Sequence, residues 1–186
     1  MKLINENFKK AGYFNTALII IAIVLRLISF VNSRAITKID CIVCIGALVY
    51  GLIYALNGYK KDAAKYYKTF MYLYLLSNTI SFIIALTSAI SEIGNLGVLM
   101  IVVNGIILLS VCSLTFIEDI GESKSNIFAL SILLLNILKL VIDIAIIGTT
   151  ITTPHTSAWF ANIVLACVLC VFVSAKYADK ASRGSK

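Results

Sequence analysis

The chain has 186 residues, of which 60% are apolar and 13% are charged, and its formal net charge is +7. In soluble domains about half of the residues are apolar and about a quarter are charged, so this composition excludes an ordinary water-soluble protein. The mean hydropathy of +0.97 and the single proline agree with that conclusion. The composition is typical of a protein embedded in a membrane.

Six apolar stretches follow one another along the chain, and each is close to the roughly 20 residues that cross a hydrocarbon core of about 30 Å. They cover residues 13–31, 39–58, 69–90, 96–117, 127–149 and 158–176. A backbone in lipid must satisfy its own hydrogen bonds, and stretches that are apolar all round favour helices over a β-barrel. The sequence therefore predicts an all-α polytopic membrane protein, with six helices in one compact bundle over residues 1–186.

Lysines and arginines are distributed unevenly between the two ends of these helices. If the N-terminus is inside, twelve of them lie on the cytoplasmic side and only Arg34 and Lys38 lie outside. By the positive-inside rule, both termini are predicted in the cytoplasm, most simply in a prokaryotic cytoplasmic membrane. Basic residues that flank apolar helices attract anionic lipid headgroups, so the expected partner of the positive charge is the bilayer and not nucleic acid.

The order of the helices suggests three weakly similar hairpins, with odd helices running outward and even helices returning. In the predicted register, residues 73–78 align with residues 131–136, and Ser81 aligns with Lys139 and Arg26. Packing of helices at small and polar residues predicts which side chains face the interior. These are Asn15, Ala22, Arg26, Ser29 and Ser33 in the first helix, Tyr74, Asn78, Ser81, Ala85 and Ser88 in the third, and Asn162, Ala166, Cys170 and Ser174 in the sixth.

Aromatic residues near the helix ends predict a belt at the membrane surface. The sequence places Trp159 at the outer start of the sixth helix and five tyrosines near the inner ends of the second and third. The tyrosines are Tyr59, Tyr66, Tyr67, Tyr72 and Tyr74.

Charged residues within the apolar stretches are the most informative candidates for a site. Arg26 lies in the first helix, and Lys139 and Asp143 lie one turn apart in the fifth, with Asn136 one turn earlier. An ionised side chain near the membrane centre costs about 2.5–3.5 kcal/mol or more, so such residues pair or serve function. One interpretation is a ligand-binding pocket of Arg26, Asn136, Lys139 and Asp143 in the outer half, for an anionic or zwitterionic solute. The other is a structural ion cluster in which Asp143 bridges Arg26 and Lys139.

Five cysteines include two CxxC pairs, Cys41 with Cys44 and Cys167 with Cys170. The pairs lie at different depths, so they do not predict one metal site, and only the first pair is placed to form a disulfide. His155 is the only histidine and gives no zinc motif. No cofactor, metal or catalytic residue is expected, and the chain is not expected to be an enzyme.

Three functions remain open at this level. The first is a small-solute transporter, or the substrate-binding membrane subunit of one, because six helices in under 200 residues resemble the substrate-binding subunits of energy-coupling-factor vitamin transporters. That family usually docks its partner through spaced alanines on the first helix, whereas Ala17 and Ala22 are five residues apart and on different faces. The second is a non-catalytic accessory, immunity or assembly protein that binds another membrane protein or a second copy of itself. A thiol redox protein that uses Cys41 and Cys44 is the third.

Overall fold

Six α-helices make up the fold in the part of the chain that the structure describes. The computed structural model describes the backbone of residues 2–31, 35–59, 63–91, 95–117, 120–147 and 153–184, and the side chains of residues 12–31, 37–59, 63–87, 97–117, 120–145 and 157–177. The helices are α1 (Lys2–Val31), α2 (Ala35–Leu56), α3 (Ala64–Ser91), α4 (Asn95–Phe116), α5 (Glu122–Ile147) and α6 (Thr153–Gly184). Each contains a segment long and apolar enough to cross a membrane. The prediction of an all-α chain with six such helices is confirmed.

Several helices are longer than the apolar stretches that predict them. α1 begins at Lys2 and α6 ends at Gly184, where the predicted stretches begin at residue 13 and end at residue 176. Hydropathy detects only the part of a helix that lipid would surround, while lysine, glutamate and alanine continue a helix into water. α2 instead ends two residues early, at Leu56, and residues 148–149 of the fifth stretch lie outside the described part of the chain.

A left-handed turn ends α2. Gly58 has a φ of 65° and Tyr59 a φ of 58°, and the Tyr59 amide donates to the Tyr54 carbonyl at 3.3 Å. Glycine adopts this conformation at helix ends without steric cost, but tyrosine does not. The turn directs the Tyr59 side chain back under the helices, where only 3% of it is exposed.

The helices form a closed ring in chain order. Each one packs against the next along the chain, and α6 packs against α1 to complete the ring. The connections are short, so neighbouring helices are antiparallel. We call the end at which α1, α3 and α5 terminate the distal end, and the opposite end the proximal end.

Many of the side chains that the sequence predicts to face the interior of the bundle are buried there. In α1, Asn15, Ala22, Arg26 and Ser29 are all buried, which confirms the predicted stripe, while Ser33 lies outside the described residues. In α3 and α6 the prediction is only partly right. Tyr74 and Ala166 are buried, Asn78, Ser81, Ala85, Asn162 and Cys170 are partly exposed, Ser174 is exposed, and the side chain of Ser88 is outside the described part.

Most of the predicted aromatic belt points inward instead. Tyr59, Tyr67, Tyr74 and Trp159 are buried, and Tyr72 alone of the named residues is more than half exposed, at 52%. The belt prediction is wrong for the buried four, because it used only their depth along the helix and not the direction in which each side chain points. The similarity of the three hairpins stays a prediction.

Candidate functional site

Arg26 is buried at the junction of three helices. Its Nη1 atom donates to Asp40 Oδ2 of α2 at 3.1 Å, and its Nη2 atom donates to Asn162 Oδ1 of α6. Only 2% of the arginine and 4% of Asp40 are exposed. A buried ion pair of this kind is stable only when further hydrogen bonds satisfy its remaining atoms. The arginine Nε atom has no hydrogen-bond partner within the described part of the chain.

Asp40 extends the contact to a fourth helix. Its second oxygen, Oδ1, accepts a hydrogen bond from the hydroxyl of Ser77 in α3 at 2.5 Å. Both carboxylate oxygens are therefore engaged, one by a cation and one by a neutral donor. The arrangement fixes the relative rotation of α1, α2 and α3, because each partner reaches the carboxylate from only one face of its helix.

Lys139 makes a second polar contact, between α5 and α4. Its ammonium donates to Asn104 Oδ1 at 2.9 Å, and the asparagine Nδ2 atom donates to the Met100 carbonyl at 2.8 Å. Because the amide is held by its own helix, its oxygen is presented to the lysine. Lys139 also interacts electrostatically with Asp143, Asp40 and Arg26, so the two groups of polar residues act on one another.

Together these two groups of contacts form a set to which every helix of the ring contributes one side chain. We call it the polar layer, and its members are Arg26, Asp40, Ser77, Asn104, Lys139 and Asn162. Asn104 and Asn162 each lie nine residues from the distal start of their helix. At a rise of roughly 1.5 Å per residue, that depth is about 14 Å. The layer therefore lies in the distal half of the bundle, with the ends of the helices above it.

The sequence predicts two members of this layer, but the predicted partner of one of them is wrong. Arg26 and Lys139 are both present, but the ion pair of Arg26 is with Asp40, in place of the predicted Asp143. Asp143 interacts electrostatically with Lys139, as the spacing of one turn implies. Asn136 is buried and donates to the carbonyl of Ile132 in its own helix at 2.8 Å. The predicted three-way cluster bridged by Asp143 is thus replaced by a layer that also includes Asp40, Ser77, Asn104 and Asn162.

Two thiols lie beside the arginine. Cys41 and Cys44 are fully buried and are free thiols, and both lie close to the guanidinium. Cys41 Sγ also donates to Ser29 Oγ at 3.7 Å. The disulfide that their spacing allowed is not formed. The side chain of His155 lies outside the described part of the chain.

Comparison with protein-family models, with curated proteins and with solved structures finds no match to this chain. The two alanines named above differ in their surroundings, since Ala17 is exposed and Ala22 is fully buried.

Proposed function

We propose that the protein is a multi-pass membrane carrier for a small zwitterionic or anionic solute, or the solute-binding subunit of such a carrier, and that the polar layer is its site. The observation that supports this most is that each of the six helices contributes a polar side chain to these two hydrogen-bonded groups. Locking two helices together needs two residues, whereas surrounding a solute needs residues from every side. The layer contains two cations, Arg26 and Lys139, and Lys139 and Asn162 retain some exposure.

The balance of charge favours a zwitterion over an anion. Within the polar layer, Arg26 and Lys139 carry two positive charges and Asp40 carries one negative charge. Asp143, next to the layer, interacts with Lys139 and adds a second negative charge. A solute with a net charge would leave one charge uncompensated in a medium of low dielectric constant, where that is most costly. A solute with one positive and one negative group leaves the net charge of the occupied site at zero. Its anionic group would meet Lys139 and the unpaired Nε of Arg26, and its cationic group would meet Asp143.

The distribution of basic residues supports an orientation with the proximal end in the cytoplasm. Among the described side chains, Lys65, Lys68, Lys124 and Lys176 lie at the proximal end, and Lys38 lies at the distal end. The three exposed lysines of the proximal end are in a position to contact anionic lipid headgroups, each contributing about 1 kcal/mol. In this orientation the polar layer is nearer to the outside of the cell.

A second candidate is an accessory protein in which the polar layer only holds the helices together. The observation in its favour is that Arg26, Asp40 and Ser77 satisfy most of one another's hydrogen-bonding atoms. In that case the surface of the bundle, and not its interior, would bind a membrane partner or a second copy of the chain.

Thermal unfolding of the purified protein in lipid nanodiscs tests the proposal. The probes are alanine and glycine betaine as zwitterions, succinate as an anion, choline as a cation and glucose as a neutral solute. A ligand at one hundred times its Kd stabilises the folded state by about 2.7 kcal/mol, which is measurable. We expect stabilisation by a zwitterion, loss of the effect in Lys139→Met, and its retention in Lys65→Met, a matched change at an exposed lysine. The absence of a shift with every zwitterion and anion would contradict the proposal.

A further inference from the structure

A cluster of aromatic rings lies between the polar layer and the proximal end. Phe172 of α6 is fully buried at its centre. Its ring lies 4.9 Å from that of Phe70, 5.2 Å from that of Tyr54, 6.0 Å from that of Tyr59 and 6.3 Å from that of Tyr67, all edge to face. We call these five residues the aromatic plug.

The aromatic plug lies on the proximal side of the polar layer and is formed partly by the same helices. Phe172 is ten residues beyond Asn162 on α6, which is about 15 Å at the rise of an α-helix. On α3, Phe70 precedes Ser77 by seven residues, or about 10 Å. The rings therefore occupy the interior between the polar layer and the proximal ends of α2, α3 and α6.

Gly51 lets the rings approach α2 this closely. A Cβ atom at this position would lie 3.2 Å from the Phe172 ring and 3.2 Å from the Phe70 ring, which is closer than side chains normally tolerate. Gly46 on the same helix is different, since a Cβ there would lie 3.6 Å from a methyl group of Leu73, an ordinary contact. An alanine at position 51 would therefore force the Phe172 and Phe70 rings to shift by a few tenths of an ångström.

The proximal face of the aromatic plug includes a strained backbone conformation and an unsatisfied polar atom. Tyr59 has the left-handed backbone conformation described above, with a φ of 58°. Its hydroxyl accepts a hydrogen bond from Asn15 Nδ2 at 3.4 Å, while the Oδ1 atom of that fully buried asparagine has no partner among the described residues. Strained residues persist only where the surrounding structure holds them, and they cluster at active sites, ligand clamps and switch regions. A second arrangement that releases Tyr59 would relieve the strain and expose Asn15 Oδ1 to water.

We infer that the aromatic plug is the cytoplasmic closure of the path to the polar layer, with Phe172 as its central residue and Tyr59 as its proximal edge. The inference rests on the proposed carrier function and the proposed orientation. A carrier must close one side of its site while the other is open, and packed rings exclude both water and a charged solute. The structure then represents the state in which the cytoplasmic side is closed.

Native Cys44 is a suitable reporter for this closure. The thiol is fully buried beside Arg26, and it lies seven residues, or about 10 Å, from Gly51 on the side of the polar layer. A membrane-impermeant thiol reagent that comes from the cytoplasm must pass the aromatic plug to reach it. Labelling needs no solute, so the test is independent of whether the ligand class has been identified.

The experiment compares labelling of Cys44 in inverted vesicles and in right-side-out vesicles, with peptide mass spectrometry to separate it from the other cysteines. In the parent protein we expect slow labelling from the cytoplasmic side. Phe172→Leu should increase that rate at least tenfold and leave the rate from the outside unchanged. The matched control is Phe160→Leu, on the same helix but 49% exposed, which should change neither rate.

A second pair of variants guards against a simple loss of folding. Gly51→Ala should also raise cytoplasmic labelling, whereas Gly46→Ala should not, and gel filtration checks that each variant is folded. Rapid labelling of the parent from the cytoplasmic side, unchanged rates in both plug variants, or an equal rise in the controls would overturn the closure. If labelling rises as expected but no solute binds, the rings do seal the interior from the cytoplasmic side, but the carrier function fails. If a zwitterion binds but labelling does not rise, the carrier function stands and the aromatic plug is not its cytoplasmic closure.

Discussion

Arg26 and Asp40 form an ion pair across the α1–α2 hairpin, with 3.1 Å between Nη1 and Oδ2, and the side chains are 2% and 6% exposed. Pairs of this kind contribute little net stability compared with apolar residues of similar volume, but breaking one by removing a single partner is strongly destabilising. The pair therefore gives a direct way to separate a structural role of the polar layer from a binding role.

Asp40→Asn should lower the free energy of unfolding by about 3–5 kcal/mol, because it leaves the buried guanidinium without a counter-charge. Arg26→Met combined with Asp40→Leu should recover most of that loss, since no buried charge remains. Reversible unfolding in mixed micelles measures both. If the single and double variants are equally unstable, the pair is not the buried contact described above.

Ser77→Ala should destabilise the protein by about 1.5–3 kcal/mol, the usual range for a hydrogen bond to a charged group. The reason is that Asp40 Oδ1 loses its donor at 2.5 Å. Ser81→Ala, one turn further along α3 at a partly exposed position, is the matched control and should change stability by less than about 0.5 kcal/mol. A larger effect at Ser81 would favour the register predicted from the hairpin pattern.

Asn104→Leu should destabilise the protein more than the position of Asn104 on an apolar helix suggests. The Lys139 ammonium loses its acceptor at 2.9 Å and must find another in the interior. We expect a loss of about 1.5–3 kcal/mol in the same unfolding measurement, with Lys139→Met in the same chain restoring part of it. Two independent, additive losses would show that these residues are not in contact.

Cys41 and Cys44 should react as free thiols after unfolding without a reductant, because both are reduced in the structure. In the folded protein they should be alkylated far more slowly than after denaturation, since both are fully buried. Differential alkylation with two mass-labelled reagents measures both states. Recovery of a Cys41–Cys44 disulfide from freshly prepared membranes would contradict the prediction that both cysteines are free thiols. It would support the hypothesis of a thiol redox protein.

The six helices could be predicted from the sequence because each apolar stretch is long enough to cross a bilayer by itself. The inward stripe of α1 could also be predicted, because Asn15, Arg26 and Ser29 share one face of the helix and lipid disfavours all three. These features belong to single helices and need no knowledge of their neighbours.

The partners within the polar layer could not be predicted in the same way. Asp40 lies only five residues after the start of α2, where a carboxylate ordinarily faces the membrane surface. On α3, Ser77 and Asn78 are adjacent in sequence but point to faces about 100° apart, and an apolar helix gives little signal for which face turns inward. Recognising that Asp40 meets Arg26 would have required the rotation of α2 relative to α1, which only the packed bundle fixes.

The most direct test of the polar layer as a solute site uses the double variant Arg26→Met/Asp40→Leu, in which the buried charge pair is removed without leaving one charge unpaired. The measurement is binding of the stabilising zwitterion, or of the anion if only that stabilises, to folded parent and variant proteins by isothermal titration in nanodiscs. We expect that the variant is folded and that its affinity for the solute falls at least a hundredfold. Unchanged affinity in the folded variant, or no binding of any zwitterion or anion to the parent, would contradict it.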